Sequence, residues 1–451
     1  MRRSLLVLAV FLLGLAGLVI CRVNATTNTM ITALNDSTPA SDLIARGKYL
    51  ATAADCVSCH TGPDHQPFSG GLLLKTPFGA ISSTNITPDK ATGIGAWTGQ
   101  QFYAALHDGL APGHEWGILP NYLYPAMPYP AYTKLSYADV MAILAYLDSL
   151  PPVYAPRMPS QLAFPFNQRP LLAIWRLFFF SPGPMHMDPA WSPAVKHGAY
   201  LTVALGHCGA CHTPRNILGA PIASDALAGA PLEGWFAPNI SSDSRYGIGG
   251  WSQTALIAYL RTGNSPRAGS AYGPMREVIA NATSHLSESD LQDMADYLQH
   301  ATTPQITPPA PEIMDASASI VRGKSLYDMN CSACHGEGGA GMPPVIPNLA
   351  GNGSVTASRP DNVITAMLAG LAGADMPGIA MPAFGPRLND QQIADITNYV
   401  RTAWGNDGAA DASAARVQAL RRISATGRAW QMMMGRTLCP RDGSDESGMG
   451  D

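Results

Sequence analysis

The stretch Cys56-Val57-Ser58-Cys59-His60 organises this chain, because its C-x-x-C-H pattern occurs three times. The other copies are Cys208-Gly209-Ala210-Cys211-His212 and Cys331-Ser332-Ala333-Cys334-His335. Two thiols at this spacing can add to the two vinyl groups of one haem, and the adjacent imidazole can then bind the iron. The repeated pattern therefore predicts three covalently bound haem c groups.

Two other chemistries use a C-x-x-C pair. A structural zinc site usually needs a second pair of ligands for each motif, and the sequence has none nearby. A thioredoxin-like redox pair does not require His at the fifth position in every copy. Haem attachment is thus favoured, through Cys56, Cys59, Cys208, Cys211, Cys331 and Cys334, with His60, His212 and His335 as iron ligands.

The composition fits a chain of several loop-rich domains. The 451 residues are enough for about three ordinary domains, one for each motif. Glycine and proline are frequent, at 44 and 38 residues, so long loops are expected. Charged residues make up 13% and the net charge is −4, so no basic excess points to nucleic acid as a partner.

Each motif lies between the same two sequence patterns. It is preceded by a glycine segment, and the three copies are Arg46–Leu50, His197–Leu201 and Arg322–Leu326. It is followed by an amphipathic helix pattern, and the three predicted N-caps are Ser136, Ser287 and Asn389. Each unit is therefore predicted to open and close with a helix, and the loops between these helices enclose the haem.

The predicted fold is mainly α, with three tandem cytochrome c-type domains that carry long loops, plus a C-terminal amphipathic helix. The predicted order is a signal peptide (1–25), domain one (41–150), a linker with an apolar segment (151–190), domain two (191–302), a second linker (303–315), domain three (316–405), and a basic amphipathic helix and tail (406–451). Below, the three domains are called units one, two and three.

The first two units share a block that the third lacks. Asn85-Ile86-Thr87 and Asn239-Ile240-Ser241 each stand twelve residues before a tryptophan, counted from the asparagine. Both tripeptides match a glycosylation sequon, but we interpret them as loop residues beside the haem. Asn85 and His207 can also form a hydrogen bond near a haem. Six further histidines are interpreted as capping, surface or core groups, and they are His107, His114, His186, His197, His285 and His300.

Methionine is the expected sixth ligand of each iron. A thioether opposite histidine gives a closed iron with a raised potential, which suits electron transfer. A single methionine more often fills a core than binds a metal, but in each unit one lies on a proline-stiffened loop shortly before the closing helix. These candidates are Met127, Met275 and Met381, and Met376 competes for the third site.

The N-terminus has the pattern of a signal peptide. Arg2 and Arg3 precede an apolar run that ends at Cys21, and cleavage is expected after Ala25. The alternatives are retention of the run as an anchor and lipid attachment at Cys21. Export predicts a location at the periplasmic face of the bacterial inner membrane, either peripheral or anchored. Cys21 and Cys439 leave no disulfide framework.

Two later segments can contact a membrane. Leu171–Phe180 is apolar but too short to span a bilayer, so it is either buried between domains, which we favour, or exposed as a contact for membrane or partner. The stretch 412–440 contains five arginines and no acidic residue. Its apolar residues, including Val417, Leu420, Ile423 and Trp430, recur at helical spacing. This pattern predicts a basic amphipathic helix on a membrane surface, with a helix docked on the protein or a disordered tail as the alternative.

The chain resembles the three-haem cytochrome c subunits of membrane-bound dehydrogenases of acetic acid bacteria and their relatives. The segments that carry the resemblance are Ser83–Asp89, Leu123–Pro130 and Gly206–Arg215, and it covers most of Ser41 to Asn406. The resemblance implies an electron-transfer subunit that takes electrons from a large catalytic subunit and reduces ubiquinone. The complex is expected to contain the large catalytic subunit and this chain, either alone or together with a further small subunit.

The same resemblance bears on the catalytic partner. In that family the catalytic subunit carries pyrroloquinoline quinone when it oxidises alcohols, flavin when it oxidises gluconate, sorbitol or fructose, and molybdopterin when it oxidises aldehydes. Phe164–Pro170 resembles the cytochromes paired with molybdenum hydroxylases, and the insertion Ala111–Tyr122 departs from the alcohol dehydrogenase pattern. We therefore expect a molybdopterin aldehyde dehydrogenase, with the alcohol and flavin enzymes as alternatives.

Two other classes of function stay open at this point. One is a haem peroxidase, in which one iron lacks its sixth ligand, and the other is a free-standing electron carrier. The sequence shows no dinucleotide fingerprint, no P-loop and no evident nucleophile constellation, which favours a subunit without a substrate-oxidising site of its own.

Overall fold

The computed structural model describes residues 39–62, 66–115, 117–300, 316–343, 345–371 and 380–433, with side chains as far as Ser424 in the last stretch. The predicted signal peptide with Cys21, the linker 303–315, Met376 and Cys439 lie outside these residues. Residues from Ile44 onward cluster as one compact unit, so the contacts among the three haem units can be described together.

Unit one is built from short helices and small antiparallel strand pairs. Its helices are α1 (Ala40–Ala53), α2 (Cys56–His60), α3 (Gly99–His107), α4 (Tyr129–Tyr132) and α5 (Tyr137–Asp148). Its strands are β1 (Leu73–Thr76), β2 (Gly79–Ser82), β3 (Leu110–Glu115) and β4 (Leu119–Tyr122). Strand β2 also pairs with β5 (Gln161–Leu162) of the following linker, which then forms α6 (Leu172–Phe179).

Unit two repeats this order. Its helices are α7 (Pro193–Ala199), which runs on as a π turn (Tyr200–Leu205), α8 (Gly209–His212), α9 (Gln253–Thr262), α10 (Pro274–Asn281) and α11 (Glu288–His300). Its strands are β6 (Ala230–Leu232), β7 (Trp235–Ala237), β8 (Asn264–Ser265) and β9 (Gly269–Ser270). The pairs β6–β7 and β8–β9 are both antiparallel.

Unit three has the helices α12 (Ala316–Asn330), α13 (Ser332–His335), α14 (Asp361–Ala369) and α15 (Asp390–Thr402), and α16 (Ala414–Met433) follows it. The described chain is mainly helical, which confirms the predicted fold class. The three predicted N-caps are also confirmed. Ser136 and Ser287 each accept a hydrogen bond from the third residue of the closing helix at 3.1 Å, and Asn389 forms a capping box with Gln392.

The repeated glycine is where the opening helix of each unit crosses the closing helix. A Cβ atom at this position would lie 1.8, 1.8 and 2.0 Å from a backbone carbonyl oxygen in units one, two and three. The pairs are Gly47 with Ala142, Gly198 with Asp293, and Gly323 with Asp395. Because no side chain fits at such a distance, only glycine allows the two backbones to touch. The glycines therefore fix the helix pair that frames each haem loop.

The first two units hold each other through two equivalent tyrosines. Tyr49 of unit one donates a hydrogen bond to Asp290 and accepts one from the Ser287 backbone in unit two. Tyr200 of unit two donates to Asp139 of unit one at 2.6 Å and accepts from the Ser136 backbone at 3.1 Å. The exchange is reciprocal, so units one and two form a pseudo-symmetric pair.

Unit two also packs against unit three. Asn362 at the start of α14 exchanges two hydrogen bonds of 2.9 Å with the backbone of Phe236 in β7. The backbone nitrogen of Gly353 donates to the carbonyl of Arg267 at 2.6 Å. Unit two therefore contacts both of the other units.

Helix α16 is docked on unit three, which overturns the predicted role of its first half. Val417 and Leu420 are 0% and 2% exposed in the apolar core that α14 and α15 form. The ion pairs of its arginines are Arg416 with Asp361 at 2.5 Å and Arg421 with Asp390 at 2.8 Å. The prediction that these side chains meet lipid is wrong, because core and carboxylates of unit three cover them. Trp430 lies beyond the described side chains.

The apolar segment Leu171–Phe180 also departs from the favoured prediction. It is not buried between domains, because Leu171, Ile174, Leu177 and Phe178 are exposed. Among the described residues, no helix is both long and apolar enough to cross a bilayer.

Candidate haem sites

The motif cysteines lie in or directly before the short helices α2, α8 and α13, which follow each opening helix. Cys208 and Cys331 are the N-cap residues of α8 and α13. The six described cysteines are free thiols. Burial raises the pKa of Cys56, Cys59 and Cys208 to about 12 and that of Cys331 to about 11. A reactive redox pair needs a thiol with a lowered pKa. The thiols therefore do not support the thioredoxin-like alternative.

The three motif histidines are held in the same way. In each unit, Nδ1 donates a hydrogen bond to a backbone carbonyl on a loop that returns to the motif. The pairs are His60 with Thr84 at 2.6 Å, His212 with Pro238 at 2.6 Å, and His335 with Pro347 at 3.2 Å. A ring that donates through Nδ1 keeps its Nε2 lone pair for a metal, and the bond fixes the orientation of the ring.

The protonation of these imidazoles also suits metal binding. Burial lowers the pKa of His60, His212 and His335, and the carbonyl bond raises it by less. The neutral ring is therefore favoured near neutral pH, and it is the neutral ring that coordinates iron.

A second repeated contact closes the loop behind each histidine. The backbone nitrogen of a glycine donates to the carbonyl of the motif histidine, at 2.7, 2.8 and 2.9 Å in the three units. These glycines are Gly70, Gly229 and Gly341, with φ angles of 74°, 88° and 62°. A positive φ is free of steric cost only for glycine, which explains the residue type at this turn.

Sequence comparison of the repeats missed the carbonyl partners. The residues that supply them are Thr84, Pro238 and Pro347, and each is followed by Asn and then by Ile or Leu. Unit three therefore contains this part of the block in Asn348-Leu349, although the full block seemed restricted to units one and two. Its loop is shorter, since the carbonyl lies 12 residues after the histidine instead of 24 or 26. The unequal spacing hid the third copy.

The same loop register supports this equivalence. The residue after each of these asparagines donates a backbone hydrogen bond across the loop, from Ile86 to Phe68, from Ile240 to Leu227, and from Leu349 to Gly339, at 2.9, 2.9 and 2.7 Å. All three acceptors have a positive φ. The three haem loops thus share one backbone frame.

The predicted sixth ligands lie between the third helix and the closing helix of each unit. Met127 and Met381 are on loops, but the prediction of a loop is wrong for Met275, which is the second residue of α10. Four residues before Met127, the backbone nitrogen of Leu123 donates to the carbonyl of Gly109 at 2.8 Å. Four residues before Met275, the backbone nitrogen of Ala271 donates to the carbonyl of Gly263 at 2.6 Å. Each of these glycines follows the third helix of its unit. The carbonyl of Met381 accepts from Leu371, which directly follows the glycine that ends α14. The three methionines occupy comparable places, and their ligation stays a prediction.

The first two motifs open into one cavity of about 2040 Å³. Cys56, Cys59, His60 and Met127 all line it, and Cys211 of the second motif lines it as well. The cavity is mostly apolar, as a porphyrin requires. It contains the thiols, the histidine and the methionine predicted for the first haem, and it reaches the second motif at Cys211, although His212 and Met275 do not line it.

The polar residues near this cavity form hydrogen bonds mainly with other groups of the protein. The Asn85 amide donates to Thr92 and to the Val153 carbonyl, and its oxygen accepts from the Thr87 backbone. His207 lies 3.3 Å from the carbonyl of Ala54 and so links units one and two. Asn85 and Asn239 are buried, which fits their interpretation as loop residues and not as glycosylation sites. His107 and His197 lie beside Asp108 and Asp293, in keeping with their interpretation as structural groups.

The donor set fits haem c in all three units. Each has two thiols in or at the start of one short helix and an imidazole with Nε2 left for iron, and a methionine is the predicted further ligand. The carbonyl partners fix an orientation of the imidazole that the motif alone does not specify, and the roles of the thiols, histidines and methionines in haem binding stay predictions.

Comparison with known proteins points the same way. The cytochrome c family model matches residues 44–151 and 320–404. The chain is 38% identical to the gluconate 2-dehydrogenase cytochrome c subunit of Pantoea cypripedii, covering 86% of this chain and 92% of that protein. It is 40% identical to the fructose dehydrogenase cytochrome subunit of Gluconobacter japonicus, covering 82% of each chain. It is 35% identical to the alcohol dehydrogenase (quinone) cytochrome c subunit of Komagataeibacter europaeus, covering 86% of each chain.

Proposed function

The chain belongs to the family of cytochrome c subunits of dehydrogenase complexes, and on that premise we propose that it carries electrons from a separate catalytic subunit to ubiquinone through three haem c groups. The observation that carries the proposal is the threefold repetition of one site, in which a buried imidazole donates Nδ1–H to a loop carbonyl beside two thiols. A chain with three such sites is built to hold redox groups in series.

Each unit has a defined part in holding its haem. The thiols of Cys56 and Cys59, and their counterparts in units two and three, would form the two thioether bonds. The histidine and the methionine of each unit would be the two iron ligands that the protein supplies. When bound, each haem supplies an iron that gains and loses one electron, and closed coordination keeps that iron from binding small molecules.

The arrangement of the units supports a path through unit two. Its closing helix accepts Tyr49 of unit one, and its strand β7 binds Asn362 of unit three. We therefore place the second haem between the first and the third. The cavity shared by the first two motifs is consistent with close transfer between those two sites.

The identity of the catalytic partner is a separate part of the proposal. The three relatives are named for gluconate, fructose and alcohol dehydrogenases, so relatedness by itself does not select one cofactor. The two segments used to choose among partners pack together, because Arg169 donates to Asn121 and to the Tyr122 carbonyl in the insertion. They thus form one surface. A molybdopterin aldehyde dehydrogenase stays our candidate, and metal, flavin and pyrroloquinoline quinone analysis of the purified complex decides it.

The place of action is proposed to be the periplasmic face of the bacterial inner membrane. A C-x-x-C-H haem is attached on the outer side of that membrane, and the quinone acceptor is dissolved in it. The mature chain is expected to sit on the membrane surface within the complex.

Haem stoichiometry and ligation test the proposal directly. Pyridine haemochrome assay of the holoprotein should give three haems per chain, and Cys208→Ala should lower this to two. Met127→Ala, Met275→Ala and Met381→Ala should each open one iron to carbon monoxide. The matched control is Met329→Ala on the exposed side of α12, which should change nothing. Carbon monoxide binding by the wild-type chain would instead favour a haem peroxidase.

The quinone acceptor is tested in the intact complex. With substrate present, the complex should reduce ubiquinone, and Cys208→Ala should abolish this while the catalytic subunit still reduces a soluble dye. A chain that purifies alone and reduces no quinone would favour a free-standing carrier.

A further inference from the structure

Among the described residues, one cluster of metal-ligating side chains lies outside the haem sites. His197 of α7 stands beside two carboxylates of α11, those of Asp290 and Asp293. Its Nδ1 atom is 2.8 Å from Oδ2 of Asp293 and 3.6 Å from Oδ1 of Asp290. Imidazole nitrogen and carboxylate oxygen are both common ligands of Zn²⁺ in proteins. The cluster therefore has the donor atoms of a site for a divalent ion.

The other two units have an arginine at the place of His197. Arg46 forms an ion pair with Asp139 at 2.6 Å in unit one, and Arg322 forms one with Asp395 at 2.8 Å in unit three. Each arginine directly precedes the glycine at the helix crossing, as His197 does in unit two. In units one and three, one guanidinium thus balances one carboxylate across the helix pair.

Unit two differs in both members of this pair. Counted from its N-cap, the closing helix has an acidic residue three positions on in unit one and six positions on in unit three, whereas unit two has both. These two carboxylates carry two negative charges, and an imidazole supplies at most one positive charge. In the part of the chain that the structure describes, no Lys or Arg forms an ion pair with Asp290 or Asp293. A divalent cation would neutralise the excess negative charge.

The hydrogen bonds within the cluster leave one carboxylate oxygen open. Nδ1 of His197 can donate to only one oxygen, and the distance of 2.8 Å assigns that bond to Asp293. Asp290 accepts a hydrogen bond from Tyr49 through Oδ2, while its Oδ1 accepts none from the described residues. A bound ion would use Nδ1 and both carboxylates together, and the proton of the neutral imidazole would then reside on Nε2.

The backbone holds these ligands in a suitable arrangement. Helices α7 and α11 touch at Gly198, because a Cβ there would lie 1.8 Å from the carbonyl oxygen of Asp293. Asp290 lies one helical turn before Asp293 in α11. Two ligands with Zn²⁺ bonds of about 2.1 Å stand about 3.4 Å apart in a tetrahedron. The separations of 2.8 and 3.6 Å bracket this value, so small side-chain movements are enough to bind the ion.

We propose that His197, Asp290 and Asp293 bind one divalent transition ion of the Zn²⁺ class, and that this ion locks the junction of units one and two. A site made only of oxygens would suit Ca²⁺ or Mg²⁺, but the imidazole nitrogen favours Zn²⁺. The lock follows from Asp290, because the carboxylate that binds the ion also accepts the hydrogen bond from Tyr49 of unit one. Ion binding here is independent of the electron acceptor and of the catalytic partner.

Zinc analysis of the intact, haem-loaded complex tests the site. After treatment with a chelator and dialysis against micromolar Zn²⁺, the wild-type complex should hold one more zinc ion per cytochrome chain than His197→Ala. His197→Ala and Asp293→Asn should each weaken zinc binding at least about tenfold. The matched control is His107→Ala, because His107 lies 2.8 Å from the single carboxylate of Asp108. This control should bind zinc as the wild type does.

The variant His197→Arg separates ion binding from damage to the fold. It gives unit two the arginine of units one and three, so it should abolish zinc binding and keep the helix pair stable without an ion. With Zn²⁺ at about 100 times its dissociation constant, the unfolding midpoint of units one and two should rise by roughly 5 °C in the wild type. The midpoint of His197→Arg should not respond to Zn²⁺.

Four results would contradict the site. Equal zinc content in the wild type and in both ligand variants assigns the zinc to other residues. Equal loss of zinc from His107→Ala shows that the cluster has no special affinity. Displacement of zinc by Ca²⁺ or Mg²⁺ at equal concentration overturns the class of ion. A wild type that binds zinc at this site but keeps the same unfolding midpoint overturns the lock between the two units.

Discussion

The first two haem units complete each other, whereas the third unit is completed by the end of its own chain. Tyr49 and Tyr200 each bind the N-cap region of the neighbouring unit's closing helix. In unit three the equivalent position after the glycine is Ser325, and the added contact comes from α16 instead, with Val417 and Leu420 in the core. The same helix pair is therefore stabilised in two different ways.

This difference predicts which units a destabilising substitution affects. A change inside unit two acts on unit one as well, because the tyrosine contacts run in both directions. A change inside unit three, or in α16, acts first on unit three. Four substitutions test this comparison, and they are ordered from the largest expected effect to the smallest.

The largest effect is expected at the helix crossing. Gly323→Val places side-chain atoms where the carbonyl oxygen of Asp395 lies, and backbone cannot move away as a flexible side chain can. We expect more than about 3 kcal/mol of destabilisation of unit three and loss of one haem in the haemochrome assay. Gly198→Val should instead disturb units one and two together. The control is Gly338→Ala, because no atom lies within 4 Å of a Cβ at Gly338. Equal damage to all units from both valine variants would contradict the comparison.

The next effect concerns α16. Leu420→Ala removes a side chain that is 2% exposed, so a cost of about 2–5 kcal/mol is expected in the stability of unit three. Thermal unfolding followed by haem circular dichroism should show one early transition, with the other two haems unchanged. Ile423→Ala, at a position 44% exposed, should cost less than about 1 kcal/mol. An unchanged profile for Leu420→Ala would mean that α16 does not complete unit three.

A smaller, pH-dependent effect is expected at Asp395 of unit three. Burial raises the pKa of this carboxyl, but hydrogen bonds from Arg322, Ser319 and Gln391 lower it by more, so the net shift is downward. The stability it contributes is present above the unfolded pKa, about 3.9, and is lost as pH falls through the lower folded pKa. Asp395→Asn should remove this acid-induced loss and cost about 1–2 kcal/mol at neutral pH. A variant with an unchanged acid profile of unit three would contradict the assignment.

The smallest effect is expected for the tyrosine hydroxyls. Tyr200→Phe removes the hydrogen bonds to Asp139 and Ser136, and about 1 kcal/mol of stability should be lost from the pair of units. Tyr49→Phe should do the same from the other side. In calorimetry, the double variant should separate the unfolding of units one and two. Tyr154→Phe, at a position 71% exposed, should stay within about 0.5 kcal/mol of the wild type. A double variant in which the two units still unfold together would show that other contacts couple them.

The local chemistry of the sites could be predicted from the sequence. The thiols and the imidazole lie within five consecutive residues, so the motif alone is enough to predict haem attachment. The N-caps at Ser136, Ser287 and Asn389 were predicted for the same reason, because a cap acts within one helical turn. The repeated glycines were visible as well, although their reason appeared only when each was found against a carbonyl of the closing helix.

What covers each apolar face was decided by the tertiary structure alone. The segment 171–180 is apolar with one arginine, and the segment 412–424 combines apolar residues with three arginines. The sequence favoured burial for the first and a membrane for the second. The structure reverses this, since Val417 and Leu420 pack in unit three while Ile174 and Phe178 are exposed. An amphipathic pattern reports that a helix has an apolar face, but the partner of that face depends on residues far away in the chain. The carbonyls of Thr84, Pro238 and Pro347 escaped detection for the same reason: a backbone acceptor has no side-chain signature, and only the folded loop brings it to the histidine.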